Sequence, residues 1–206
     1  MTESPLTRAT LLLRLRDPGD SDAWGDFLRD YGPMIYRFVR SRGLQDADAA
    51  DVVQDVLRSV GNAIDRFDYA KEKGGFRAWL FTITRNKLAT YFEKRKRTSP
   101  TANDTTQFEL LKQATGGKNE LDERWELEHQ RLVAAKAMEI LKPTIEPNTW
   151  KAFELTAIDG LAAEEAGASL GMSKGAVYVA RSRVTAKLRD EVTRILAEED
   201  VVGELR

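Results

Sequence analysis

Apolar residues recur along this chain at intervals of three and four and never alternate with polar ones over the length of a strand, so the pattern predicts an all-α protein. A short helix over about 7–16 stops at Asp17-Pro18-Gly19-Asp20, where proline and glycine punctuate the chain. Asp22 begins a helix carrying Trp24, Phe27, Leu28 and Tyr31. Pro33 begins the next, with Ile35, Phe38 and Val39 as its apolar stripe and Gly43 at its close. Asp46 or Asp48 is placed to cap a helix whose Val52, Val53, Val56, Leu57 and Val60 turn inward, leaving Asp51, Gln54, Asp55 and Arg58 toward water. A loop with Tyr69, Lys71, Lys73, Gly74 and Gly75 leads into a helix from Phe76 to Arg95.

From Thr98 to about Glu120 the composition shifts to Thr, Ser, Asn, Asp, Gln and Gly, which is the signature of a linker, interrupted only by Phe108, Leu110 and Leu111. Its roughly 23 residues could extend about 75–80 Å, or about 25–30 Å as a coil, so the halves need not touch. Helical periodicity resumes over 121–141, breaks between Pro143 and Pro147, and continues over 149–158 and 161–170 before a final basic helix. The expected organisation is two small helical domains, 20–97 and 121–190, joined by a flexible linker over 98–120. A helical extension over 1–19 and a helical tail over 191–206 flank them.

The net charge of −1 conceals segregation: carboxylates crowd 46–55 and 120–128, while cations crowd 85–97 and 181–189. Two poles of opposite sign imply two classes of partner. With no cysteine and one histidine among 206 residues, disulfides, thiol catalysis and Cys-ligated zinc are excluded, and no metal or cofactor is expected. His129, flanked by Glu128 and Gln130, reads as an exposed helical residue. Glu164-Glu165 read as helix-start carboxylates rather than an acid–base pair. Leu11-Leu12-Leu13 are cut by Arg14, Arg16 and Asp17, too short a run to span a bilayer, so the expected compartment is the cytoplasm and no membrane partner is expected.

Two segments carry candidate chemistry. In the second half, Gly171 suits a tight turn, Ser173 a helix cap, and Val177, Val184 and Leu188 an inward face; this is a helix-turn-helix pattern. Lys174, Gly175, Tyr178 and Ser182 are left to face base edges, and Arg181, Arg183 and Lys187 to hold phosphates. An ordinary helical hairpin with a solvated basic helix would show the same spacing. The segment from Trp79 to Arg97 joins aromatic side chains to a basic helix end, which suits stacking on exposed bases while gripping their phosphates. Trp79 shares its spacing with Phe76, Leu80 and Ile83, which suits a core more than a base-stacking platform.

The first half, with its aromatic helix, the run Asp46-Ala47-Asp48-Ala49-Ala50-Asp51-Val52-Val53-Gln54-Asp55-Val56, then Phe67-Asp68, Phe76-Arg77-Ala78-Trp79-Leu80 and Ile83-Thr84-Arg85-Asn86, resembles the extracytoplasmic-function class of bacterial sigma factors. The resemblance covers Asp20 to Arg97 and about Leu132 to Arg189, and the segment from Gly171 to Val184 looks like the subset abundant in planctomycete-type bacteria. It implies a non-enzymatic transcription initiation subunit, a monomer when free. Its partners would be core RNA polymerase and promoter DNA, as a duplex at the −35 element and a single strand at the −10 element, with an anti-sigma factor or other regulator as a further expected partner.

On this resemblance Asp48, Asp51, Gln54, Asp55 and Arg58 contact polymerase, and the acidic face is indeed too negative to approach DNA. The loop with Tyr69, Lys71 and Lys73 and the start of the next helix, with Phe76 and Trp79, would capture a flipped −10 base, and Arg77 would hold the backbone. Asn86 would read a base edge, and Arg85, Lys87, Lys94 and Arg95 would hold the backbone. Ser173, Lys174, Gly175, Tyr178, Arg181, Ser182, Arg183 and Lys187 would serve the −35 element. Ala166-Gly167 depart from the family pattern, and a mid-helix glycine predicts a loosely held first helix of the motif. Two other functions fit a helix-turn-helix: an operator-binding dimeric regulator and a helical adaptor. The acidic helix and the aromatic first half favour the sigma factor over the regulator.

Overall fold

The computed structural model describes residues 9–68, 75–98 and 118–202, and every regular element among them is helical. In order these are α1 (Ala9–Arg14), α2 (Ser21–Arg40), α3 (Asp46–Ala63) with a 3₁₀ turn at Ile64–Arg66, α4 (Gly75–Thr98), α5 (Lys118–Leu141), α6 (Pro147–Phe153), α7 (Ala163–Leu170) and α8 (Lys174–Val202). Tyr69, Lys71, Lys73 and Gly74 lie outside the described residues, as do Phe108, Leu110 and Leu111 of the expected linker. The chain divides into two compact units, with the division between Leu132 and Val133.

In the first unit, Asp20 caps α2 by accepting from the Ala23 amide at 2.9 Å, and Arg14 grips the same carboxylate and lowers its pKa to about 2. Two helices meeting at Pro33 were expected, yet α2 runs straight through it. Proline inside a helix forfeits one backbone hydrogen bond and crowds the preceding turn. Here Phe27, Tyr31, Met34, Ile35 and Phe38, all buried around that point, keep both halves on one core. Neither Asp46 nor Asp48 caps α3: Gln45 holds the cap position without a side-chain bond, and the Asp46 carboxylate accepts from the Tyr36 hydroxyl at 3.0 Å and pairs with Arg40 at 2.8 Å. The inward stripe of α3 is as expected, with Val52, Val53, Val56 and Val60 buried.

The core of this unit also takes in the first part of α5, a segment the pattern assigned to the second domain. Leu121, Trp125 and Leu132 are buried, and the Trp125 ring stands edge-on to Phe38 at 5.2 Å and beside Phe81 at 5.3 Å. The acidic run on this helix is likewise used internally. Glu128 is fully buried, accepting from Arg37 Nε at 2.7 Å and Arg131 Nη1 at 2.7 Å. His129, expected to be exposed, is 1% exposed, and its Nδ1 lies 3.2 Å from Arg77 Nη1. A guanidinium only donates, so that nitrogen is the acceptor.

In the second unit, Trp150, Phe153 and Val184 pack with Met138, Leu141, Ile145 and Leu188. The helix expected over 149–158 is shorter and widens after Phe153 into a π-type turn over Glu154–Ile158. There the Trp150 indole N–H donates to Glu154 at 2.7 Å, and with Lys151 and Lys142 it holds that carboxyl to about 2. The helix-turn-helix is built on a small-residue cluster of Ala152, Ala163, Ala166, Val177 and Ala180. Gly171 takes φ 65°, and Ser173 Oγ accepts from the Ala176 amide at 3.2 Å, as a turn glycine and a helix cap should.

Gly167 does not loosen α7. A Cβ there would stand 2.6 Å from the Met172 carbonyl oxygen, so glycine is what lets the turn close down on the helix. The obstacle is backbone and cannot swing aside. Gly167→Ala is expected to destabilise the second unit by about 2 kcal/mol or more. Gly175→Ala, with nothing within 4 Å, should stay within about 0.5 kcal/mol. Paired thermal melts of the two variants check this, and equal midpoints would show that the turn has room to spare.

Candidate functional site

The periodicity of α3 and α4 brings two oppositely charged faces to one groove. On α3, the valines claim one side, so Asp51, Gln54, Asp55 and Arg58 are exposed and Asp48 half-buried. On α4, Phe76, Leu80, Thr84, Leu88 and Phe92 are buried at intervals of four, which leaves Thr82, Asn86, Thr90 and Lys94 along the outside. Between them lies a cavity of about 660 Å³, with Asp48, Asp51, Gln54, Asp55 and Arg58 on one wall and Lys87, Lys94 and Arg95 on the other. Val52, Thr90 and Tyr91 complete its lining. Arg58 pairs with Asp55 at 2.8 Å on its own helix.

One bond crosses the groove at its end. Arg95 Nη1 lies 3.4 Å from the Asp48 carboxylate and donates to the Tyr91 hydroxyl at 2.7 Å. Burial, reinforced by the hydrogen bond to Asp48, raises the Tyr91 phenol above its ordinary pKa, so it stays protonated.

The residues expected at the −10 strand do not all reach the surface. Phe76 is a correction: its ring is 2% exposed and packs against Phe27, Tyr31, Phe67 and Trp79 at 5.4–5.9 Å, in the core rather than toward a base. It opens the buried row that continues through Leu80, Thr84, Leu88 and Phe92. Trp79 is half-buried, 4.9 Å from the Phe67 ring, so part of its face serves the core. Arg77 turns to α5, where Glu126 accepts at 2.8 Å beside His129. Arg85 lies over the Phe81 ring at 6.0 Å, with Lys87 half-buried and Asn86 fully on the outside.

On α8 the inward residues Val177, Ala180 and Val184 leave Lys174, Gly175, Tyr178, Arg181, Ser182, Arg183 and Lys187 exposed. Tyr178 is 51% exposed, and Lys174 Nζ lies 5.9 Å from its ring centre. Lys174 also pairs with Glu164 of α7, which raises the pKa of the ammonium and lowers that of the carboxyl. Glu165 accepts from the Ala162 amide at 3.4 Å, at the start of the same helix. The two carboxylates thus serve a helix start and an ion pair. Glu126, Asp48 and Glu164 each pair with an expected DNA-contacting cation, Arg77, Arg95 and Lys174, and these pairings are not visible in the sequence. The acidic clusters were visible, but not which cation each would meet.

Among the described residues no group of His, Asp or Glu is arranged to hold a metal, and no helix is long and apolar enough to cross a membrane.

Comparison with known proteins bears on these surfaces. The family model for Sigma-70 region 2 matches residues 27–98, the span that includes both walls of the groove. The chain is 31% identical over 190 residues to the RNA polymerase sigma factor NccH of Alcaligenes xylosoxydans xylosoxydans, covering 91% of this chain and 95% of that one. It is 31% identical over 170 residues to the RNA polymerase sigma factor CnrH of Cupriavidus metallidurans, covering 82% and 86%. With the ECF RNA polymerase sigma factor SigD of Mycobacterium bovis it shares 27% identity over 185 residues, covering 84% and 79%.

Proposed function

Because this chain belongs to the extracytoplasmic-function class of bacterial RNA polymerase sigma factors, we propose that it joins core polymerase through the acidic face of α3 and selects promoters through two separate DNA contacts. The observation that carries the proposal is the groove in the first unit, where carboxylates and cations stand on facing helices. Carboxylates on an exposed wall attract a basic protein surface and repel nucleic acid; cations on the other do the reverse. Asn86, with a donor and an acceptor on the exposed ridge of α4, reads a base edge of the −10 strand. Tyr69, Lys71 and Lys73 belong to the same contact. Flipping a base out of the stack costs a few kcal/mol, and stacking with edge hydrogen bonds must supply it.

The second contact is the exposed face of α8 in a −35 duplex. Tyr178 and Ser182 lie toward the base edges, with Arg181, Arg183 and Lys187 on the flanks toward the backbone. The chain approaches polymerase as a monomer and is open to control by an anti-sigma factor or other separate regulator.

Run-off transcription by core polymerase on a promoter library, with and without the chain, tests the proposal as a whole. Within it, Arg183→Ala should weaken initiation about equally on every promoter and reduce the salt slope by about one. Tyr178→Ala should change which −35 bases are preferred, by about tenfold at the contacted position. A Tyr178 variant that keeps the parental preference at every randomised position would show that this ring does not face the bases.

A further inference from the structure

The outward face of α8 carries an isopropyl group among its polar and charged side chains. Val177, Ala180 and Val184 are buried on the inner side of this helix, whereas Val179 stands on the far side of it and is 50% exposed. Gly175 and Ser182, its neighbours one turn away in either direction, are exposed as well, and a Cβ at Gly175 would meet nothing within 4 Å. The valine is therefore open to whatever lies against this face. Tyr178, beside it, is engaged on its own side of the helix, where Lys174 Nζ lies 5.9 Å from the ring centre and is itself tied to Glu164 of α7. Arg183 and Lys187, one and two turns further along, are exposed, so the charge around the valine suits a polyanion rather than an apolar protein surface.

A branched hydrocarbon neither donates nor accepts, so Val179 has no means of reading the ring nitrogens, carbonyls or amines of a base edge. The major groove displays one apolar substituent, the C5 methyl of thymine. We infer that Val179 is a specificity-determining residue that reads a thymine of the −35 duplex by packing its isopropyl group on that methyl. The inference rests on the proposed function above, in which α8 enters the −35 duplex, and deepens it by naming a base and the group that reads it. Taking one methyl group out of water is worth about three- to fivefold in binding.

Transcription by holoenzyme reconstituted from the full-length chain and core polymerase tests it, with base analogues that change the methyl alone. A randomised −35 library, transcribed with the parental chain and with Val179→Ala, locates the position at which the variant loses a preference for thymine. At that position, deoxyuridine in place of thymidine should lower initiation by the parental holoenzyme about three- to fivefold. There 5-methylcytosine, which carries the same methyl at the same place in the groove, should exceed cytosine by a similar factor. Val179→Ala should erase both differences, whereas Tyr178→Ala should retain them.

A parental holoenzyme that initiates equally from thymine and deoxyuridine at every −35 position overturns the inference, as does a thymine–deoxyuridine difference that survives Val179→Ala. If Tyr178→Ala erases the difference and Val179→Ala keeps it, the methyl is read by the neighbouring ring and the assignment of Val179 fails. In each of these cases α8 keeps its place on the duplex, provided that Arg183→Ala still weakens initiation on every promoter. Loss of that uniform effect, with no change of base preference in either Tyr178→Ala or Val179→Ala, takes α8 off the −35 element and the inference with it.

Discussion

Replacement of both Asp51 and Asp55 by lysine is expected to abolish retention of core RNA polymerase in pull-downs, with affinity falling by about 100-fold or more while the helical fold and its melting midpoint are retained. Both carboxylates are exposed, on the side of α3 opposite the buried Val52, Val53, Val56 and Val60, so their replacement removes nothing from the core. Among the described residues the ion pair broken is Asp55 with Arg58, an exposed pair three residues apart that is worth well under 1 kcal/mol. At a protein interface the balance differs. Close opposite charges couple by about 1.5–7 kcal/mol, so reversing two of them exceeds about 3 kcal/mol even at the low end, which is more than 100-fold in affinity. Circular dichroism and a thermal melt establish the fold, and retention of parental affinity by a folded double variant would take the polymerase contact off this face.

Phe76→Ala is expected to have the opposite profile, with a large loss of stability that precedes any effect on DNA. The side chain is 2% exposed and lies among four aromatic rings, and truncating such a residue to alanine costs about 3–5 kcal/mol in lost transfer energy and an unfilled cavity. For a domain of this size that corresponds to a fall of 10 °C or more in Tm. Asn86→Ala, on the outer ridge of the same helix, should leave Tm nearly unchanged and reduce promoter opening, read by permanganate reactivity of the melted strand. The pair separates a side chain that holds α4 in place from one that uses α4 as a platform. Parental Tm in Phe76→Ala would contradict the core assignment.

The helices themselves were legible because amphipathic periodicity survives wherever one face is buried. The valines of α3, the turn at Gly171 and the cap at Ser173 all sit where local chemistry demands them. Pro33 misled because the rule against internal proline is local, and the aromatic packing that overrides it comes from elsewhere in the fold. Gly167 was misjudged for the same reason: its cost to the helix is visible in the sequence, whereas the carbonyl it makes room for is not. The largest miss was the first part of α5. Glu120, Glu126 and Glu128 read as part of an acidic pole turned toward a partner, and only the structure shows that Arg42, Arg77 and Arg37 meet them. The buried stripe of Leu121, Trp125 and Leu132 was the signal that could have revealed an inward face, although not which core it joins.

That shared helix has a practical consequence for dissection of the protein. A fragment ended near Thr98, where composition suggests a natural border, would strip Trp125 from Phe38 and Phe81 and leave Arg37 without the carboxylate of Glu128. The truncated piece would carry an aromatic scar ringed by uncompensated arginines, a surface prone to self-association and to indiscriminate capture of polyanions. Apparent DNA affinity measured on such a fragment would then report the wound rather than the reader, and a faithful first-domain fragment has to extend through Leu132 even though that means cutting a helix in two.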